Sequence, residues 1–140
     1  MNLERMSCGF QVNTVSEKGH IEGLGAHFNN VDFGDDVIAP GAFAKSIAQK
    51  MPAMLWQHDH TQVPGMWTHA EETKEGLALK GVFANTPLGS EAYELTKMGA
   101  VTGLSVGFVI PEGGSEVQKD GTRAIKEIDL WEVSPVTFPM

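Results

Sequence analysis

The sequence predicts an α+β chain that is mainly β, a small closed or partly closed β-barrel of about 7–8 strands with two or more surrounding helices. Three observations carry this. Sixteen glycines in 140 residues divide the chain into short segments, as tight turns between strands require. About eight of those segments read as short strands. Clear helix signals mark only two places, too few for alternating βαβ units.

In order along the chain, residues 8–15 and 20–28 flank Glu17-Lys18-Gly19 and read as a hairpin whose glycine supplies a positive φ. Residues 29–34 form a polar loop, and 37–39 a short strand before Pro40-Gly41. Phe43, Ile47 and Met51 then recur at helical spacing, which predicts an amphipathic helix over 41–51 ending before Pro52. Residues 53–58 read as a strand running into a polar corner; 63–72 and 77–84 are strands separated by Lys74-Glu75-Gly76. The second helix has Thr86 as its cap, Pro87 in its first position, Lys97 and Gly99 at its end, and Leu88, Ala92 and Leu95 as its buried stripe. Residues 101–110 are strongly strand-like, and a polar segment opens at Gly113-Gly114. Strands over 116–118 and 122–131 flank a second hairpin turn at Lys119-Asp120-Gly121, and 133–138 is the last strand. Val12, Val15, Leu24, Leu77, Leu79, Val82 and Phe83 are the expected core.

With 41% hydrophobic and 20% charged residues the chain fits one domain spanning 1–140. A domain of this size buries roughly 68% of its unfolded surface, enough to fold without metal or disulfide. The lone Cys8 has no internal partner. A net charge of −8, with ten basic residues scattered singly, argues against nucleic acid as partner. No apolar stretch approaches the roughly 18 residues of a spanning helix, and the first residues lack a signal-peptide core, so a soluble, non-secreted chain without membrane contact is expected.

Chemistry concentrates in three segments. In Gly103-Leu104-Ser105-Val106-Gly107-Phe108, strand alternation puts Ser105 on one face between two glycines, which clear space for another backbone beside its hydroxyl. An ordinary serine on the polar face of a strand gives the same letters. The nucleophile elbow of α/β-hydrolases is excluded, because all five histidines (His20, His27, His58, His60, His69) precede Ser105. A serine nucleophile needs a base, and Trp56-Gln57-His58-Asp59-His60 offers two. His58 lies nearer the apolar run Met54-Leu55-Trp56, where partial burial would fix a neutral imidazole; either histidine could equally be an ordinary one at a strand end. A His-based metallohydrolase on His58, His60 and His69 is a further alternative, although this spacing matches no standard zinc pattern. No cofactor and no metal are expected.

An acid should orient the base, and Asp129 and Glu132 both qualify. Glu132 lies between apolar neighbours, where a carboxylate needs a partner, either His58 or a cation such as Arg123. Regular alternation groups Glu132 with Leu130 and Ser134, and Asp129 with Trp131 and Val133, unless a bulge reverses it.

Four segments stand in order: Asp35-Asp36-Val37-Ile38-Ala39-Pro40-Gly41-Ala42-Phe43, Leu55-Trp56-Gln57-His58-Asp59, Gly103 to Phe108, and Leu130-Trp131-Glu132-Val133-Ser134-Pro135-Val136-Thr137-Phe138-Pro139. Together they resemble the prohead proteases of tailed bacteriophages, capsid-maturation serine proteases related in fold to herpesvirus assemblin. Pro135 departs from the branched aliphatic more usual there. The resemblance implies an assemblin-like fold and a serine endopeptidase with His58 as base, Ser105 as nucleophile and Glu132 as acid. It implies cleavage of the scaffolding segment of the major capsid protein and of the protease itself, inside the phage prohead in the host cytoplasm, with a homo-oligomer among the arrangements left open. Family members usually continue beyond the last motif, so a further C-terminal segment is expected to be missing from these 140 residues. The alternative of another class is a catalytically inactive, protease-like module for capsid assembly.

Overall fold

The computed structural model describes residues 3–7, 12–15, 19–32 and 34–138; Cys8 and the Glu17-Lys18 corner of the expected first hairpin lie outside them. The described elements are, in order, β1 (Glu4–Ser7), β2 (Val12–Val15), β3 (His20–His27), β4 (Asp36–Ile38), α1 (Ala44–Gln49), β5 (Ala53–Met54), β6 (Gly65–Glu72), β7 (Gly76–Phe83), α2 (Pro87–Lys97), β8 (Gly103–Val109), β9 (Ser115–Val117), β10 (Arg123–Ile125) and β11 (Asp129–Val136).

Eight strands form one sheet in the order β1-β8-β11-β5-β6-β7-β3-β2, antiparallel except for β5 against β11. The sheet curls on itself: a Cβ placed on Gly25 of β3 would stand 3.4 Å from Val106 Cγ1 of β8 and 3.6 Å from Val133 Cγ1 of β11. It remains a half-barrel, which corrects the closed form of the expected barrel. Its edge strands β1 and β2 share no ladder among the described residues. Closure is not needed to dry the interior, because Ile38, Phe43, Ala92 and Ile125 from outside the sheet complete the apolar core with Ile21, Leu77, Leu104, Val106 and Phe108. A second sheet, β4-β10-β9, supplies two of those residues.

Several expected elements form as the local chemistry dictates. Thr86 Oγ1 accepts the Gly89 amide at 3.0 Å and Pro87 opens α2. Gly121 takes φ +89° in the β9–β10 turn, where Asp120 Oδ1 accepts the Thr122 amide at 3.0 Å. Others are trimmed by long-range bonds. The Glu72 carboxylate accepts the Gly41 and Phe43 amides at 2.8 Å each, so residues 41–43 form a turn and α1 starts only at Ala44. The strand expected over 53–58 stops after Met54. The one expected over 122–131 divides into β10 and β11, with the Ile128 amide between them donating to Ala42 O at 2.9 Å.

Strand β1, within Glu4-Arg5-Met6-Ser7, has no sequence signal of its own. It pairs with β8 and is tied to the second sheet by Arg123, whose guanidinium donates to Asp36 Oδ1 and Oδ2 (2.7 and 2.8 Å) and to Glu4 Oε1 (2.8 Å). These carboxylates raise the guanidinium pKa above its already high ordinary value, so the clasp is charged at every working pH.

Candidate active site

All seven positions of β8 are buried, since the strand is paired on both sides and covered on both faces. Leu104, Val106 and Phe108 enter the core, while Ser105, at 1% exposure, takes the opposite face by alternation. Ser105 pairs with Ser7 of β1 and Ser134 of β11.

His58 does not continue a strand. After Met54 the chain turns through Trp56–Asp59, where the Asp59 amide donates to Trp56 O at 3.0 Å. Gln57 and His58 both have positive φ, +56° and +63°, as the two central residues of a type I′ turn require. Neither is glycine, so each costs on the order of 1–3 kcal/mol of backbone strain that its surroundings must hold. Four bonds to β11 and the residue after it do so. The Gln57 amide donates to Pro135 O (3.2 Å) and the His58 amide to Ser134 Oγ (3.1 Å). Gln57 Nε2 donates to Thr137 Oγ1 (2.6 Å), and Gln57 Oε1 accepts the Thr137 amide (3.0 Å). At the start of the corner, Asp59 Oδ1 accepts from the Thr61 hydroxyl (2.6 Å) and amide (2.9 Å), which hold its carboxyl below the usual range.

The turn sets the imidazole between Ser105 and Glu132. His58 Nδ1 lies 2.7 and 2.9 Å from the two Glu132 carboxylate oxygens, and His58 Nε2 lies 2.7 Å from Ser105 Oγ. Beside an ionised carboxylate, which only accepts, a neutral imidazole carries its proton on Nδ1 and turns the Nε2 lone pair to the hydroxyl. The Ser134 hydroxyl, which accepts the His58 amide, donates to the same carboxylate at 3.0 Å. Glu132 is only 4% exposed, so these bonds answer the cost of burying its charge. Arg123, the bland partner for that charge, is committed to Asp36 and Glu4 instead.

Glu132 reaches this position through a β-bulge. Leu130 pairs with Phe108 and Glu132 with Gly107, leaving Trp131 unpaired. The regular alternation expected for 129–134 therefore does not hold: the extra residue turns Leu130 to the core and brings Asp129, opposite Val109, to the face that carries Glu132. Asp129 still takes no part in the cluster. It sits two register positions farther along β8, about 7 Å, and its Oδ2 accepts from Trp131 Nε1 at 3.0 Å.

His60 is exposed, and His69 sits on β6 opposite Lys80, so neither joins His58. Among the described residues no three His, Cys, Asp or Glu side chains are grouped to hold a metal ion, and no helix is long and apolar enough to cross a membrane. Pro135 costs the β8 ladder nothing. A strand residue turns its N and O to the same side, and Pro135 O faces Gln57. Sequence reasoning missed Ser134, Gln57 and Thr137. All three lie in or beside the quoted motifs, but no local pattern announces bonds that cross 76 to 80 positions.

Comparison with known proteins agrees with the fold and with the family resemblance. The T4 bacteriophage capsid assembly protease superposes with a TM-score of 0.72 at 13% identity, over 98% of each chain, which shows a shared fold. The prohead protease of Enterobacteria phage HK97 is 35% identical over 130 residues, 88% of this chain and 56% of that protein. A capsid polyprotein of Pseudomonas phage PAJU2 is 30% identical over 131 residues, 88% of this chain and 19% of that protein. The chain thus spans about half the length of the first relative and a fifth of the second. The caudovirus prohead serine protease family matches residues 2–140, and the chain belongs to that family.

Proposed function

We propose that this chain is a serine endopeptidase of phage prohead maturation, with Ser105 as nucleophile, His58 as general base and Glu132 as the acid that orients it. The observation that carries this reading is the unbroken relay from Ser105 Oγ through His58 to Glu132, 2.7 Å at each link. Ser105 Oγ attacks a peptide carbonyl as His58 Nε2 takes its proton, and the imidazolium returns that proton to the leaving amine. Water then repeats the sequence on the acyl-enzyme. Glu132 stays ionised throughout, stabilising the imidazolium and keeping the neutral ring in the tautomer with its proton on Nδ1.

The substrates on this reading are the scaffolding segment of the major capsid protein and the protease itself, inside the prohead in the host cytoplasm. The relative named as a capsid polyprotein supports a capsid substrate. Confinement in a shell raises local concentration, so weak recognition of the cleaved segment is enough.

The test is co-expression with the phage's own capsid protein, together with labelling by a serine-reactive fluorophosphonate. Processing and labelling that both vanish in Ser105→Ala support the reading. A folded parent that neither labels nor processes would favour an assembly module without turnover, and loss of processing to a chelator alone would favour the metal alternative.

A further inference from the structure

Building on the catalytic reading of Ser105, His58 and Glu132, we propose that Ser46 of α1 is a positioning residue for the acid. Its Oγ accepts the buried Leu130 amide at 2.8 Å and so holds the bulge that turns Glu132 toward His58.

The argument starts from register. Were β11 to continue regularly from the Leu130–Phe108 pair, Trp131 would stand opposite Gly107, and Glu132 would face Val106 on the core side of the sheet. The one extra residue at Trp131 therefore decides whether a carboxylate or an indole meets the imidazole. Leu130 is the last regular pair before the bulge, and its buried amide, turned away from β8, needs an acceptor. On the side away from β8, the neighbour strand β5 reaches only Glu132 and Val133, so Leu130 has no strand partner there among the described residues. Helix α1 supplies one in the Ser46 hydroxyl, 84 positions away in the chain and buried with it.

A second pair of contacts holds the bulged residue outward. Trp131 is 45% exposed; Lys50, just after α1, sets its ammonium 5.4 Å from the ring centroid, and Asp129 accepts from the indole nitrogen at 3.0 Å. With the indole held outside and the Leu130 amide tied to α1, the Glu132 carboxylate is left to fill the space over Gly107. Ser46 touches neither Ser105 nor any reacting atom, so its effect passes entirely through the aim of Glu132.

The test compares the parent chain with Ser46→Ala, Ser46→Cys and Ser105→Ala. One readout is the second-order rate of labelling by a fluorophosphonate, in which Ser105 Oγ bonds to phosphorus, fluoride leaves and His58 takes the hydroxyl proton. The other is the low-field proton NMR signal of the His58 Nδ1–H bonded to Glu132. Ser46→Ala is expected to label roughly 10- to 100-fold more slowly, the scale of an ångström-sized misplacement, and to lose or shift the low-field signal while circular dichroism shows a folded chain. Ser46→Cys keeps the volume with a weaker acceptor and should fall between; it carries the test alone if Ser46→Ala does not fold. Parental labelling and a parental signal in a folded Ser46 variant overturn the proposal. Labelling that survives in Ser105→Ala overturns the catalytic reading instead.

Discussion

The carboxylate of Glu132 occupies the space that a side chain at Gly107 would fill: a Cβ built there stands 3.0 Å from Glu132 Cδ and 3.1 Å from its Oε1. Gly107, across the ladder from the acid, is thus a requirement for the carboxylate to lie flat against β8 and reach His58 Nδ1. Gly107→Ala should push the carboxylate aside by a few tenths of an ångström or more, lowering labelling and cleavage about 10²-fold with the fold retained. Parental rates in a folded Gly107→Ala would show that the acid's aim tolerates the methyl.

Ser105→Ala removes a hydroxyl and fills no core volume. Cleavage should drop by roughly 10⁴ to 10⁶, as when one member of a unit is lost, while the fold is retained at a cost of about 1–3 kcal/mol for the buried hydroxyl's lost hydrogen bond. Self-processing followed by mass spectrometry checks the first expectation and calorimetry the second.

The two acids separate cleanly. Glu132→Gln should preserve folding and lower the rate by up to about 10⁴, because an amide cannot stabilise the imidazolium and can hold the wrong tautomer. Asp129→Asn, which does not meet His58 and keeps an amide oxygen to accept from the Trp131 indole, should be nearly silent. A silent Glu132→Gln beside a dead Asp129→Asn would sink the assignment of the acid while leaving His58 and Ser105 in place.

Ser134→Ala should cost both stability and rate. Its hydroxyl accepts the His58 amide and donates to Glu132, so its loss leaves the amide of a strained, left-handed His58 unpaired and a buried carboxylate short of a donor. A loss of about 1–3 kcal/mol is expected from the unsatisfied groups, read by urea denaturation. The rate should fall about tenfold or more as the turn loosens. A parental rate in a folded Ser134→Ala would mean that the remaining bonds hold the turn alone.

Arg123→Met should cut the link between Glu4 of β1 and the small sheet at a cost of about 1–2 kcal/mol, since two carboxylates lose a shared, part-buried guanidinium. The sign with pH follows from the raised pKa: the contribution is fully present below the ordinary arginine range and is lost only far above it, so alkaline titration up to pH 10 should leave it intact. The same destabilisation in Arg123→Met at pH 7 and pH 10 is the expected result; a difference that disappears by pH 10 contradicts it.

What the sequence determined by itself was the set of chemical groups and the local geometry that neighbouring residues impose. Thr86 and Pro87 start α2, Asp120-Gly121 turns β9 into β10, and alternation turns Ser105 away from Leu104 and Val106; each depends on side chains within a few positions. The quoted motifs likewise named His58, Ser105 and Glu132 in order, because residue types and their order survive in a linear string. Tertiary structure decided how those groups face one another. A hydroxyl on β11 and the Pro135 carbonyl hold Gln57 and His58 in a turn that local preference disfavours for both. The register shift at Trp131, held by a helix hydroxyl 84 residues away, brings Glu132 rather than Trp131 over Gly107. Edge strand β1 is tied to the second sheet by an arginine 119 positions on. Each of these arrangements is locally unfavourable or locally silent, and becomes the minimum only when distant donors, acceptors and charges arrive to satisfy it.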